Sequence, residues 1–156
     1  MRVTVIYGTD GGNTRRIAEQ IAAQAGAKVV EISSATNSDF EDCDLLILGT
    51  PTCGYGDLQC DWDSRLSILS EIDLTGRKVA LFGLGDQVTY ADTFADAMGV
   101  LYEKLAEQGV SVIGSTSTED YDFYSSRAVR DDLFVGLVLD EDIQPDKTEE
   151  RMYPSG

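Results

Sequence analysis

The sequence predicts an α/β protein built as a doubly wound parallel sheet. Three observations carry that prediction. Short aliphatic or β-branched runs alternate with amphipathic helical stripes. One run, Leu45-Leu46-Ile47-Leu48, is apolar at every position, as strands covered on both faces are. Stretches rich in Thr and Gly follow the ends of the runs, where open α/β sheets bind their ligands.

The elements follow in order. Strand one is read at Arg2 to Tyr7 from Val3, Val5 and Ile6, and helix one at Thr14 to Gln24 from the stripe Ile17, Ala18, Ile21, Ala22 and Ala25. Strand two is Lys28 to Ile32 and strand three Leu45 to Leu48. Helix two spans Asp63 to Ser70, and strand four Val79 to Leu84. Helix three covers Thr93 to Gln108, with Phe94, Met98, Leu101 and Leu105 on one stripe and Gly109 closing it. Strand five begins at Val110. From Gly114 the rhythm gives way to a polar, aromatic segment (Tyr121, Phe123, Tyr124), and an apolar run resumes at Phe134-Val135-Gly136-Leu137-Val138-Leu139. This reads as an insertion, about residues 115–133, splitting strand five; a loop to a separate sixth strand is the other reading. Asp140-Glu141-Asp142 reads as a solvated strand end. Lys147 to Met152 opens a last helix with Thr148 as N-cap, and Pro154 stops it short. A shortened last helix leaves a sheet face beside strand one for self-association.

Composition bounds the function. With 156 residues, the chain is expected to form one domain, 1–156, large enough for a real core. A formal net charge of −16 disfavours nucleic acid and anionic membranes and favours basic protein partners. No apolar run reaches the roughly 20 residues of a membrane span. The sequence enters strand one at once, which gives the expectation of no leader and a cytoplasmic location. The three cysteines (Cys43, Cys53, Cys60) match no zinc spacing and fit a reducing compartment, and the chain has no His to serve as base or metal ligand. No metal site and no catalytic residue is expected.

The stretch Thr9-Asp10-Gly11-Gly12-Asn13-Thr14 joins strand one to helix one. A helix N-terminus presents free N–H groups and the positive end of its dipole, which suits an anion. Thr9 and Thr14 add hydroxyl donors, and Gly11 and Gly12 admit close backbone approach. The loop has neither the Lys of a triphosphate loop nor a GxGxxG pattern, so a single phosphate monoester is the best match. A plain strand-to-helix turn capped by Asn13 or Thr14 fits the same residues.

Taken together, the motifs resemble the long-chain flavodoxins over nearly the whole chain. They are Gly8 to Thr14, Gly49-Thr50-Pro51-Thr52, Leu58-Gln59-Cys60-Asp61-Trp62, Phe82-Gly83-Leu84-Gly85-Asp86-Gln87 with Tyr90-Ala91-Asp92, and Tyr121-Asp122-Phe123 with Phe134-Val135-Gly136-Leu137. The resemblance implies a flavodoxin-like five-stranded sheet in the order 2-1-3-4-5 and non-covalent FMN. It also implies a low-potential one-electron carrier, not an enzyme, that cycles mainly between neutral semiquinone and hydroquinone.

The resemblance further implies that Thr9 to Thr14 hold the phosphate and that Thr50, Pro51, Thr52, Gly85, Asp86 and Asp92 border the flavin. Tyr90 matches the outer ring wall. Cys53 stands where many relatives place the Trp of the inner wall, so one ring face is expected to be less fully covered. Tyr55 is the candidate to swing in as substitute cover. Gly54 follows the wall residue, at the peptide that turns over on reduction in this family, and Gly lowers the cost of that turn. Gly11 replaces a hydroxyl residue usual in the loop, a loss of about 1 kcal/mol if water does not replace it. Asp57, Asp61, Asp86 and Asp92 are expected to disfavour the anionic hydroquinone. Cys43 reads as core, Cys60 as packing, and Trp62 as the anchor of its loop. Implied partners are an NADP-linked flavodoxin reductase and an acceptor such as nitrogenase, pyruvate oxidoreductase or photosystem I. The alternative is an FMN oxidoreductase of the quinone or nitro reductase type. A signalling receiver domain is ruled out because Thr50-Pro51-Thr52 stands where its phosphorylated Asp belongs.

Overall fold

The computed structural model describes residues 1–153. β1 (Val3–Tyr7), β2 (Lys28–Glu31), β3 (Leu45–Cys53), β5 (Lys78–Leu84) and β10 (Leu137–Leu139) form a parallel sheet in the order β2-β1-β3-β5-β10. That is the doubly wound order 2-1-3-4-5. The remaining strands are β4 (Asp57–Leu58), β6 (Val112–Ile113), β7 (Thr116–Ser117), β8 (Val129–Arg130) and β9 (Leu133–Phe134).

Strand five is split. Val112 and Ile113 of β6 pair with Val79 and Ala80, while Leu137 to Leu139 of β10 pair with Phe82 to Leu84 on the same edge of β5. The two pieces fill one strand position in succession, which excludes a separate sixth strand. The segment between them carries a small antiparallel sheet, β7-β9-β8. Phe134, expected in the central strand, belongs to this small sheet. Its ring is fully buried against Phe94, Tyr121 and Phe123 at 5.0–6.0 Å. The central strand resumes only after Gly136, where a Cβ would lie 2.3 Å from the Leu81 carbonyl oxygen.

The helices are α1 (Asn13–Ala25), α2 (Asn37–Glu41), α3 (Cys60–Arg65), α4 (Ile68–Glu71), α5 (Asp96–Glu107) and α6 (Thr148–Met152). Strand residues alternate between two cores. Val5, Tyr7, Phe82, Leu84 and Leu139 face α1 and Met152, whereas Ile6, Leu46, Leu48, Val79, Leu81 and Val138 face the α3–α5 side. On the α1 side Ile47 and Leu137 remain half-buried.

Several boundaries differ from the sequence reading, each for a local reason. β3 runs on through Gly49-Thr50-Pro51-Thr52-Cys53 because Gly49 to Pro51 still pair with Phe82 to Leu84, and Thr52 and Cys53 then pair back onto β4. The helix expected at Asp63 starts at Cys60, where the Gln59 Oε1 accepts the Trp62 N–H at 3.2 Å, and breaks before α4. α5 starts at Asp96 because Ala95 sits at φ 54°, outside helical space. α2 has no counterpart in the sequence reading, although Thr36 and Asp39 form its capping box. Thr148 is not the N-cap of α6 but its first residue, and its hydroxyl donates to Glu141. Pro154 to Gly156 lie outside the described residues.

Candidate functional site

The carboxyl ends of β1, β3, β5 and β10 converge on one cleft, open to solvent. Thr9, Asp10, Gly11, Asn13, Thr14, Pro51, Thr52, Cys53, Gly85, Asp86 and Tyr90 line it, joined by Leu84, Glu141 and Asp142.

One end of the cleft is the N-terminus of α1. The N-cap is Gly12 at φ 92°, a conformation open to glycine, and no side chain caps this terminus. The Thr9 hydroxyl accepts the Gly12 N–H at 3.0 Å and closes the turn. No Lys, Arg or His lines the cleft. Helix dipole, backbone amides and hydroxyls therefore supply the donors for an anion.

The other end has flat and soft walls. Tyr90 is held by turns closed on Asp86: the Asp86 carboxylate accepts the N–H groups of Val88 and Thr89 at 3.0 and 2.8 Å, and its carbonyl accepts that of Tyr90 at 3.1 Å. Cys53, at the end of β3, lines the same cleft. The Cys53 thiol donates to Asp10 Oδ2 at 3.0 Å, and the Gln59 amide donates to Asp10 Oδ1 at 3.2 Å. Burial, the hydrogen bond to Asp10 and the charges of Asp10, Cys60 and Asp57 push the Cys53 thiol up to about 12. Thr52 fixes the floor, its hydroxyl accepting the Ala97 N–H at 3.2 Å in the first turn of α5.

The remaining residues expected at the site stand behind or beside it. Gly12 shapes the anion loop from outside the lining. Thr50 is fully buried, with its hydroxyl on the Pro51 carbonyl at 2.9 Å. Gly54 is exposed at φ 49°. Tyr55 is 86% exposed and stands edge-on to Tyr90, ring centroids 5.9 Å apart. Asp92 is exposed, and its carbonyl accepts the Ser125 hydroxyl at 2.6 Å. Trp62 is fully buried with its indole N–H on the Gly49 carbonyl at 2.9 Å, and Cys43 is in the core. Cys60 is exposed, not packed.

Asp140-Glu141-Asp142 is not a solvated strand end. Asp140 is fully buried and accepts the Gln87 backbone and side-chain N–H groups at 2.9 and 2.8 Å, and those of Asp142 and Ile143 at 3.1 and 2.9 Å. Gln87, itself buried, also accepts the Asp122 N–H at 2.6 Å. The loop after β5, the turn after β10 and the insertion thus share one hydrogen-bonded junction. Glu141 bonds to Arg16 of α1 and Thr148 of α6. Burial and the negative charges of Asp86, Asp140 and Glu141 raise the pKa of Asp142. Burial falls along the run, from buried Asp140 through half-buried Glu141 to exposed Asp142.

No group of His, Cys, Asp and Glu among the described residues could hold a metal ion, and no described helix is long and apolar enough to cross a membrane.

Residues 5–153 match the family described as Flavodoxin. The flavodoxin of Synechocystis is 48% identical over 155 residues, covering 97% of this chain and 91% of the relative. The flavodoxin of Klebsiella pneumoniae is 44% identical over 154 residues, covering 96% and 88%. Among solved structures, the flavodoxin of Fusobacterium nucleatum bound to flavin mononucleotide superimposes with a TM-score of 0.88 at 31% identity, covering 97% of this chain and 92% of that one.

Proposed function

Because the chain belongs to the flavodoxin family, we propose that its cleft holds FMN and that the protein carries single electrons between larger redox proteins. The observation that carries this reading is the pairing, in one cleft whose lining has no Lys or Arg, of an uncapped helix N-terminus with walls formed by Tyr90 and Cys53. The first end suits one phosphate, the second a flat ring.

The residues divide the work. Thr9, Gly11, Asn13 and Thr14 present hydroxyls and amides to the phosphate, and Gly12 closes the turn that shapes the loop. Tyr90 covers the outer ring face, and Cys53, with Pro51 and Thr52 behind it, forms the smaller inner wall. Asp86 and Asp142 edge the polar length between them. When bound, FMN supplies the one-electron chemistry. Asp10, Asp86, Glu141 and Asp142 all line the cleft, and they act on the charge there. At an effective dielectric of about 20, one such charge about 8 Å away opposes an added negative charge by about 2 kcal/mol. That field favours giving the second electron away and so makes the carrier strongly reducing. Gly54 already occupies positive-φ backbone, so the peptide following the wall residue can turn over with no Cβ in its way.

Tyr55 and Val88, 86% and 64% exposed, flank the mouth beside the exposed carboxylates Asp57 and Asp142. An apolar rim in an acidic field fits a basic-faced partner that must come close to the ring. A flavodoxin reductase linked to NADP, and acceptors of the nitrogenase, pyruvate oxidoreductase or photosystem I type in the cytoplasm, have the chemistry this rim fits.

The test is spectroscopic. The purified chain is expected to be yellow, and after removal of its pigment to take up one FMN and to bind riboflavin more weakly. Failure to bind FMN would overturn the reading. Steady NAD(P)H oxidation without an added reductase would instead favour an FMN oxidoreductase.

A further inference from the structure

Asp10 is an anomaly in a phosphate loop: it places a negative charge where another negative charge is to bind. Its carboxylate is turned along the cleft wall, with Cys53 Sγ on Oδ2 at 3.0 Å and Gln59 Nε2 on Oδ1 at 3.2 Å. Asp10 itself is exposed, but Gln59 is 1% exposed and anchored in turn. Its Oε1 accepts the Trp62 N–H, and Trp62 is pinned to the Gly49 carbonyl. An exposed carboxylate is thereby fixed by two donors, one of which is the wall of the ring site.

We propose that Asp10 is a positioning residue for that wall: braced by Gln59, its carboxylate holds the Cys53 thiol as a hydrogen-bond donor, keeping the wall neutral and unreactive and tying it to the phosphate loop. Only the identity of what lies over the wall rests on the FMN reading; the contact belongs to the protein alone.

The groups facing Cys53 all act in one direction. Asp10 approaches from the β1–α1 loop, Asp57 from β4 and Cys60 from α3, and Asp86, Tyr90, Glu141 and Asp142 line the rest of the cleft. None is a cation. A thiolate here would be desolvated and surrounded by carboxylates, so the sulfur keeps its proton, and Asp10 is the acceptor for it. A protonated sulfur is a poor nucleophile. It is also an uncharged, polarisable surface for a ring that gains and loses electrons.

Alkylation with N-ethylmaleimide tests this on the FMN-free full chain. The thiol first loses its proton to solvent; the thiolate sulfur then adds to one carbon of the maleimide double bond, forming a thioether, and the neighbouring carbon takes a proton from solvent. Peptide mass spectrometry reads Cys53 against two internal references, exposed Cys60 and buried Cys43. In D10A and D10N the Cys53 rate at pH 8.5 is expected to rise about tenfold, with its pH–rate midpoint about one pH unit lower and Cys60 unchanged. A gain in exposure would lower the midpoint too, since burial is the largest cause holding it up, so the near-isosteric D10N, which leaves the packing in place, is the deciding variant. Cys53-to-Cys60 ratios and midpoints in both variants matching wild type would overturn the proposal. If labelling of Cys43 shows D10A to be unfolded, D10N and a cycle of D10N, C53A and C53S on FMN affinity decide: the effect of D10N should persist in C53S, which keeps a donor, and vanish in C53A, and zero coupling between Asp10 and Cys53 would overturn it. A wild-type chain that ignores FMN would refute the cofactor reading while leaving the alkylation result to stand.

Discussion

Asp140 and Gln87 are joined twice, through the backbone N–H at 2.9 Å and the side-chain amide at 2.8 Å, in a buried junction. Asp140 also ends the turn that carries Glu141 and Asp142 into the cleft. Removing the carboxylate strands several buried donors. D140A is therefore expected to lose at least about 2 kcal/mol of stability in urea unfolding. Because two cleft loops lose their common anchor, FMN affinity should fall in D140A more than global stability alone predicts, as fluorescence titration would show. D140N, which keeps one acceptor oxygen, should be intermediate.

Tyr90 lines the cleft and Tyr55 stands outside it, edge-on. Aromatic stacking adds about 0.5–1.5 kcal/mol beyond buried area. Y90A is expected to weaken FMN about tenfold or more and to relieve flavin fluorescence quenching. Y55A should change affinity less than about threefold. A large loss of quenching in Y55A would show instead that Tyr55 swings in over the ring beside the small Cys53.

Glu103 bonds Arg127 at 2.5 Å and Arg130 at 3.0 Å, clamping α5 to the insertion. The hydrogen bond from Arg127, then its charge and that of Arg130, hold the Glu103 carboxyl below its ordinary range despite partial burial. A carboxyl whose folded pKa is depressed contributes stability above its unfolded pKa, about 4.3, and loses it as pH falls through the folded value. The stability gap between wild type and E103Q should thus be open at pH 6 and close towards pH 3. Both partners are well solvated, so the gap should stay under about 1 kcal/mol. Urea melts across that range read it directly.

The two residues between β8 and β9, Asp131 and Asp132, both have positive φ, 53° and 67°. That is the backbone of a tight hairpin turn, where Asn and Gly are favoured and an L side chain costs about 1 kcal/mol or more. D132G, which removes the Cβ and one of two adjacent like charges, is expected to stabilise the chain by about 0.5–1 kcal/mol. A fall in stability would show that the Asp132 side chain makes a contact worth more than the strain.

The strand-and-helix rhythm was legible because each strand is short and apolar and each long helix has a stripe. The phosphate loop and Tyr90 were legible because they directly follow strand ends. What escaped was set by partners distant in sequence. Leu133-Phe134 has the composition of the central strand, and only the aromatic cluster with Phe94, Tyr121 and Phe123 draws it into the small sheet. Asp140 looked solvated because its partners lie at Gln87, 53 residues away. Asp10 was read only as part of the phosphate loop because Cys53 and Gln59 reach it from another strand and helix. Propensity reports on neighbours along the chain, and these three positions are decided by neighbours across it.

The split of the outermost strand into β6 and β10 bears on the order in which the molecule assembles. β6 reaches β5 through the parallel crossover made by α5, whereas β10 docks only after residues 114–136 have closed a further loop, whose entropy opposes the contact. β10 is therefore expected to join late in folding. Its carboxyl end bears Asp140 and, beyond it, Glu141 and Asp142, so the cleft closes last of all. A ligand spanning the α1 terminus and the Asp142 turn would fasten the slowest part of the fold to the fastest, and so act as the final structural element of the native state.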